Sequence, residues 1–274
     1  SDCGLVEEKR IGDQRLAPSP LGMRVAASRW EERDESGVRR LTHGEATQGA
    51  HPMRNQICDF YGLPAEQVRV VTPDVGGGFG AKAFFYPEDL LVPWLARRVD
   101  RPVRYTESRT ESMNGLGHGR GQIQDVKLGG TRDGRILAYE MRVVQDAGAY
   151  PRFGAFLPFM TGRMLTGTYD IPRAGMTAYG VLTNTVPTVA YRGAGRPEAA
   201  AAIERAVDMF AREIGLDPAE VRRRNLVAPD RFPYTTAMGT TYDSGDYPGA
   251  LELALEAADY PALRAEQERR RSIG

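Results

Sequence analysis

Two periodicities stand out along the chain. Over residues 197–214, Ile203, Val207, Phe210 and Ile214 fall at i, i+4, i+7 and i+11. That spacing predicts an amphipathic helix, with Pro197 as its first residue and Gly215 as its stop. Over residues 136–144, Leu137, Tyr139, Met141 and Val143 alternate with Ala138, Glu140 and Arg142, the pattern of a half-buried strand. Residues 122–128 supply its partner through a turn at 129–134 that ends in Asp-Gly, so a hairpin is predicted. Shorter strands are expected at 25–30, 67–72 and 102–106. Further helices are expected at 52–61, from Pro87 onward with Leu90, Leu91, Trp94 and Leu95 on one side, at 217–224 behind an Asp217 cap, and at 246–258. Residues 1–24 read as an extended lead-in, 43–51 as a glycine-rich turn region, and 145–180 as irregular. Strands and helices mix without strict alternation, which makes the class α+β.

Composition narrows the picture. The chain has 274 residues, 36 basic and 36 acidic, and a formal net charge of zero. Balanced charge disfavours nucleic acid or an anionic membrane as the main partner. No window nears the roughly 18 consecutive apolar residues of a spanning helix. Cys3 and Cys58 form no CxxC, and only His43, His51 and His118 are histidines. A metal held by this chain's own side chains is therefore not expected. The scarcity of cysteine points to a reducing, cytoplasmic setting. Lysine occurs only at Lys9, Lys82 and Lys127, and Lys82 falls in the most glycine-rich loop. The N-terminus, without Met or a signal pattern, reads like a chain entered partway.

Three loops carry candidate chemistry. Gly76-Gly77-Gly78-Phe79-Gly80 follows a strand and precedes a helix. With so few Cβ atoms, its backbone can approach a ligand closely and aim several N–H groups at it. The loop fits a dinucleotide fingerprint loosely, but Pro73, Pro87 and the lack of a timely acidic residue argue against that use. Ala190-Tyr191-Arg192-Gly193-Ala194-Gly195-Arg196-Pro197-Glu198 brings two arginines to a helix N-terminus. It can bind an anion, or its arginines can pair with Glu198 and only hold the turn. In Thr47-Gln48-Gly49-Ala50-His51, Gln48 can place an amide donor against an oxyanion or metal-oxo group. No nucleophile elbow or carboxylate dyad is present.

In this order, the loops resemble the first molybdenum-cofactor-binding domain of xanthine oxidase-type hydroxylases, a group with aldehyde oxidases and carbon monoxide dehydrogenase-like large subunits. His118-Gly119-Arg120-Gly121, Gly148-Ala149-Tyr150 and the tail motifs at 215–226 and 241–247 match as well, so the likeness spans about residues 12–270. The resemblance implies mixed sheets with packed helices over residues 25–274. It also implies a molybdenum-pyranopterin cofactor, in a molybdopterin or cytosine dinucleotide form, held without direct side-chain ligation. Gln48 would hydrogen-bond an oxo ligand of the metal, Gly77, Gly78, Phe79 and Gly80 would lie against the cofactor, and Arg192 would stabilise substrate negative charge. The implied reaction is hydroxylation with water as oxygen source, with electrons leaving through iron–sulfur and FAD partner subunits.

Departures from the family pattern shape the expected pocket. Carbon monoxide dehydrogenases carry Cys after the loop arginine, where this chain has Gly193. Purine hydroxylases carry Glu and Phe where it has Ala83 and Ala194. A wider, less polar pocket follows, suited to an aldehyde or an N-heteroaromatic. The hammerhead domain, the second cofactor domain and its general-base Glu are not in this sequence. The chain alone is therefore expected to bind cofactor weakly and not to turn over. A non-catalytic cofactor-binding or interaction module of the same fold is the alternative.

Overall fold

A computed structural model describes residues 3–274. Two four-stranded sheets, each with its own core, carry the loops between them. The first is built from β2 (Val25–Trp30), β3 (Leu41–Glu45), β4 (Val68–Val71) and β5 (Val103–Thr106), in the order β4-β3-β2-β5. The β3–β4 pair is parallel, and the others are antiparallel. Helices α1 (Ala50–Tyr61) and α2 (Pro87–Val99) cover one face, where Met53, Ile57 and Ala96 pack with Trp30, Leu41 and Val68.

The second sheet takes β1 (Leu5–Asp13), β6 (Gln122–Gly130), β7 (Ile136–Gly148) and β8 (Arg173–Leu182), in that order. The predicted hairpin is its centre, and α5 (Arg196–Ile214) lies across it. Ile203, Val207 and Phe210 from α5 are buried with Val126, Leu128, Met141 and Val143. Short helices α3 (Arg109–Gly115), α4 (Leu157–Arg163) and α6 (Pro218–Asn225) fill the connections, and α7 (Tyr247–Ala257) and α8 (Tyr260–Ile273) follow. The Asp217 carboxylate caps α6 by accepting from the Ala219 N–H at 2.8 Å. No helix among the described residues is long and apolar enough to cross a membrane.

Several expectations need correction. Ser1 and Asp2 lie outside the described residues, but much of the lead-in is strand β1, paired antiparallel along β6. Its charged residues mask the alternation because it is an edge strand. Residues 41–45 are a central strand, not a turn, since polar His43 and Glu45 occupy its inward positions. Residues 145–180 hold α4 and β8, and β8 is mostly exposed, so it lacks a half-buried pattern. In α2 the inward stripe is Asp89, Val92, Pro93 and Ala96, whereas Leu91 and Trp94 are half exposed. The sheet already contributes the bulk of Trp30 there, whose indole N–H donates to the Pro93 carbonyl at 2.9 Å, and small helix residues fit over it. The run after residue 258 is a separate helix, broken at Asp259 with φ +46°.

Beneath α2 lies a buried ionisable cluster. His43 Nδ1 meets Ser28 Oγ at 2.8 Å, and its Nε2 lies 3.4 Å from Glu45 Oε2. Asp89 accepts from the Tyr86 N–H at 2.7 Å, closing the start of α2. Burial pushes the carboxyls of Glu45 and Asp89 up to about 7 and holds His43 down to about 4. A carboxyl that keeps its proton to about pH 7 when folded, but sheds it near 4.5 when unfolded, costs the fold stability as pH rises between those values. His43 acts oppositely between about 4 and 6.5, so two carboxyls outweigh one imidazole. Thermal melts across pH 5 to 8 should therefore show stability declining toward neutrality. Glu45→Gln should flatten that decline and raise stability at pH 8 by on the order of 2 kcal/mol; an unchanged pH slope would refute the cluster's role.

Candidate functional site

The site forms where three loops meet between the sheets. The first leaves β3 and enters α1. Its Gln48 N–H donates to the Lys82 carbonyl at 2.9 Å, and the Thr47 hydroxyl donates to the same oxygen at 3.1 Å. The Gln48 carboxamide oxygen accepts from the Gly80 N–H at 2.8 Å. An N–H can be received only by the oxygen, so the amide orientation follows, and the Nε2 hydrogens have no partner among the described residues.

The second loop is the glycine run after β4. Gly76, Gly77, Phe79 and Gly80 all have positive φ, at +69°, +93°, +52° and +95°. A Cβ on Gly78 would stand 2.4 Å from Gln48 Oε1, and one on Gly80 would stand 2.6 Å from the Ala190 carbonyl. At Gly80 glycine is thus demanded by contact as well as by conformation, whereas at Gly78 a Cβ would displace the Gln48 carboxamide. Phe79 carries a side chain in a region that disfavours one and is 43% exposed. Such strain persists only where the surroundings impose it.

The third loop precedes α5. The Arg192 N–H donates to the Phe79 carbonyl at 2.9 Å, which locks it to the second. The Arg192 side chain is exposed and has no hydrogen bond or ion pair among the described residues. Gly193, Ala194 and Gly195 turn through φ +97°, +35° and +88°. Gly195 abuts α4, where a Cβ would meet Met160 and the Thr161 nitrogen at 2.6 Å.

The structure therefore joins Gln48, Gly78, Phe79, Gly80 and Arg192 through direct contacts. Gly77 belongs to the same cradle and packs beneath the Phe79 ring. Ala83 and Ala194 lie in these loops, yet each bonds only within its own, to Gly80 and Tyr191 carbonyls. Neither Arg192 nor Arg196 pairs with Glu198. Arg196 reaches back to the Gly193 carbonyl at 3.3 Å, and Glu198 is met by Arg120 at 3.3 Å. Arg120, 7% exposed and at φ +63°, also donates to the carbonyls of Tyr191 and Arg192 at 2.8 Å each and lies over the Tyr191 ring. It supports the loop from below. The sequence signal was present in Gly119-Arg120-Gly121, but no local rule assigns that arginine a target 71 residues away.

Sequence reading also missed an aromatic row. Phe84, Phe153, Phe156 and Phe159 stack in succession with ring centroids 5.5, 5.3 and 4.9 Å apart. The row runs from the end of the glycine loop to α4, beside the third loop, with Phe156 and Phe159 about half exposed. Among the described residues, no group of three or more His, Cys, Asp or Glu could hold a metal ion. The unpaired amide of Gln48, the bare main chain of 76–80 and the free guanidinium of Arg192 suit a cofactor held by outer contacts, with anionic or oxo groups facing donors.

Known proteins resemble this chain in sequence and in fold. The profile of the molybdopterin cofactor-binding domain matches residues 1–226. The carbon monoxide dehydrogenase large chain of Hydrogenophaga pseudoflava is 41% identical over 236 residues, 85% of this chain and 29% of that protein. The nicotine 6-hydroxylase large subunit of Paenarthrobacter nicotinovorans is 32% identical over 264 residues, 95% of this chain and 32% of that protein. Among solved structures, quinoline 2-oxidoreductase from Pseudomonas putida 86 superposes with a TM-score of 0.92 at 34% identity, covering 100% of this chain and 35% of that one. The chain thus spans roughly a third of the length of these relatives. Three interlocked loops, a matching profile and relatives that share the α+β fold lead to one conclusion: the chain belongs to the molybdopterin cofactor-binding domain family, within the large subunits of the xanthine dehydrogenase and carbon monoxide dehydrogenase group.

Proposed function

We propose that this chain forms one wall of the active site of a molybdenum hydroxylase that oxidises an aldehyde or an N-heteroaromatic carbon, with water as oxygen source. The observation that carries the reading is the Gln48 carboxamide. Its oxygen is held by the Gly80 N–H at 2.8 Å, so its two N–H donors are free for an oxo group. The molybdenum-pyranopterin would supply the two-electron redox chemistry and the oxygen to be transferred. The chain's own residues would bind and orient. Main chain at Gly77, Gly78, Phe79 and Gly80 would lie against the cofactor, the Gln48 amide would donate to it, and the Arg192 guanidinium would stabilise negative charge developing on the substrate.

The surroundings support this substrate class. Phe156 and Phe159 offer exposed ring faces beside the loops, suited to a flat, apolar molecule. Ala83 and Ala194 supply no polar clamp for a purine. Gly193 sits at φ +97°, and a Cβ there would stand 2.7 Å from the Pro197 ring. A cysteine at that position would be strained, which disfavours the copper-linked oxidation of carbon monoxide implied by the family pattern. Two relatives are named for the N-heteroaromatics nicotine and quinoline, in keeping with this choice. We further propose that a second cofactor domain and iron–sulfur and FAD subunits complete the cytoplasmic enzyme, and that the pterin carries a cytosine dinucleotide.

The test is expression of the full polypeptide with its partner subunits, followed by molybdenum analysis and dye-reduction assays. Turnover of an aromatic aldehyde or a quinoline-type heterocycle, without turnover of carbon monoxide or xanthine, is expected; a preparation that folds but carries no molybdenum would overturn the reading. In the loaded enzyme, Gln48→Ala should lower kcat/KM by roughly 10²–10³-fold, as loss of a preorganised donor does, with molybdenum content retained. Phe156→Ala should instead raise KM about tenfold with kcat little changed, because it removes binding shared by ground and transition states. A fall in kcat alone would contradict that assignment.

A further inference from the structure

The glycine loop holds its shape above a buried cation. The Lys82 side chain is 1% exposed, although lysine is almost never fully buried without compensation. Its Nζ donates to the carbonyls of Gly22 at 2.8 Å, Val75 at 2.9 Å and Met23 at 3.4 Å. All three acceptors are main chain, so its three hydrogens are used on the root of the glycine loop and on the segment that crosses it. At that crossing the Gly22 N–H donates to the Gly76 carbonyl at 2.9 Å. A Cβ on Gly76 would stand 2.7 Å from Gly22 Cα, and one on Gly22 would stand 2.8 Å from the Val75 carbonyl. Two backbones thus touch with nothing between them, and the ammonium joins both.

The nearest carboxylate influence comes from Glu107, but that group is committed to Arg24, whose guanidinium it meets at 2.7 Å. Burial lowers the ammonium's proton affinity, and Glu107 opposes that effect. A methionine would fill the same volume without desolvating a charge, so packing alone does not account for a lysine here. The other end of the residue is equally engaged. Its carbonyl receives the Gln48 N–H and the Thr47 hydroxyl.

We propose that Lys82 is the positioning residue of this site, its ammonium fixing the Gly76–Gly80 loop from beneath while its carbonyl sets Thr47 and Gln48. One residue thereby holds the main-chain cradle and the carboxamide in a common register. The assignment rests on the reading of these loops as a cofactor wall for its purpose, but its physical content concerns only this chain's own contacts. It acts through the loop and touches no reacting atom.

Amide hydrogen exchange on the full chain, with and without cofactor, tests it. In Lys82→Met, exchange at Gln48 and Gly80 should accelerate at least tenfold while the hairpin at 122–144 stays as protected as in the unsubstituted chain. Lys82→Gln should fall between, and Lys82→Arg, which keeps charge and several donors, should return both amides to within about threefold of their original rates. Unchanged exchange in Lys82→Met, loss of protection in hairpin and loop together in both neutral variants, or no rescue by arginine would each overturn the proposal. Molybdenum content separates the two readings. Loop release in a chain that never carries molybdenum leaves Lys82 in its role and removes the cofactor wall, whereas loss of molybdenum with undisturbed loop amides does the reverse.

Discussion

Backbone-to-backbone contact without intervening side chains is the constraint on which the site depends. Gly76 meets Gly22 and Gly80 meets the Ala190 carbonyl, each closer than any Cβ would allow, and the Gln48 side chain lies directly against Gly78. At such distances hydrogen bonds replace packing as the means of holding loops together. The Gly80 N–H reaches Gln48, and the Arg192 N–H reaches the Phe79 carbonyl. Ordering consecutive glycines is entropically expensive. The fold offsets that expense by over-determining the loops from both sides.

The two sheets make this over-determination possible. Each has a separate core, one around Trp30 and Ile57, the other around Phe210 and Tyr139. The loops leave from rigid elements: β3 into α1, β4 toward α2, and the approach to α5. Buried charges reinforce them. Arg120 spans the Tyr191 and Arg192 carbonyls and Glu198, and Lys82 spans the crossing at Gly22 and Val75. Both cations are satisfied mainly by main-chain oxygens, which suits the support of bare backbone better than a surface ion pair would. The exposed Phe79 ring, the Arg192 guanidinium and the Nε2 hydrogens of Gln48 are left without hydrogen-bond partners among the described residues.

Such an arrangement explains why no metal-ligand pattern is visible in the sequence of a metal-cofactor family. In the proposed reading the chain would contribute donors and shape to the cofactor's surroundings, and side-chain metal ligands would be unnecessary because the pterin would bind the metal. Chemical character then resides in how the cradle is held and in what flanks it, here the row from Phe84 to Phe159.

Local pattern alone determined much of this protein. The α5 helix from its apolar stripe and Gly215 stop, the β6–β7 hairpin from its alternation and Asp-Gly turn, and the α+β class all rest on interactions between near neighbours. The three glycine-bearing loops were legible as candidate sites in the same way, and the order of their motifs carried the resemblance to the family. Tertiary structure alone decided the rest. Strand β3 needs partners on both sides to accept His43 and Glu45 inward, the β1 edge is defined only by β6, and the face α2 buries depends on Trp30 already filling the sheet. Arg120 and Lys82 acquire their roles from carbonyls 71 and 60 residues away. Periodicity reports which side of one element is apolar. It carries no information about which distant backbone a buried charge will hold, since that is set by the summed packing of every element between them.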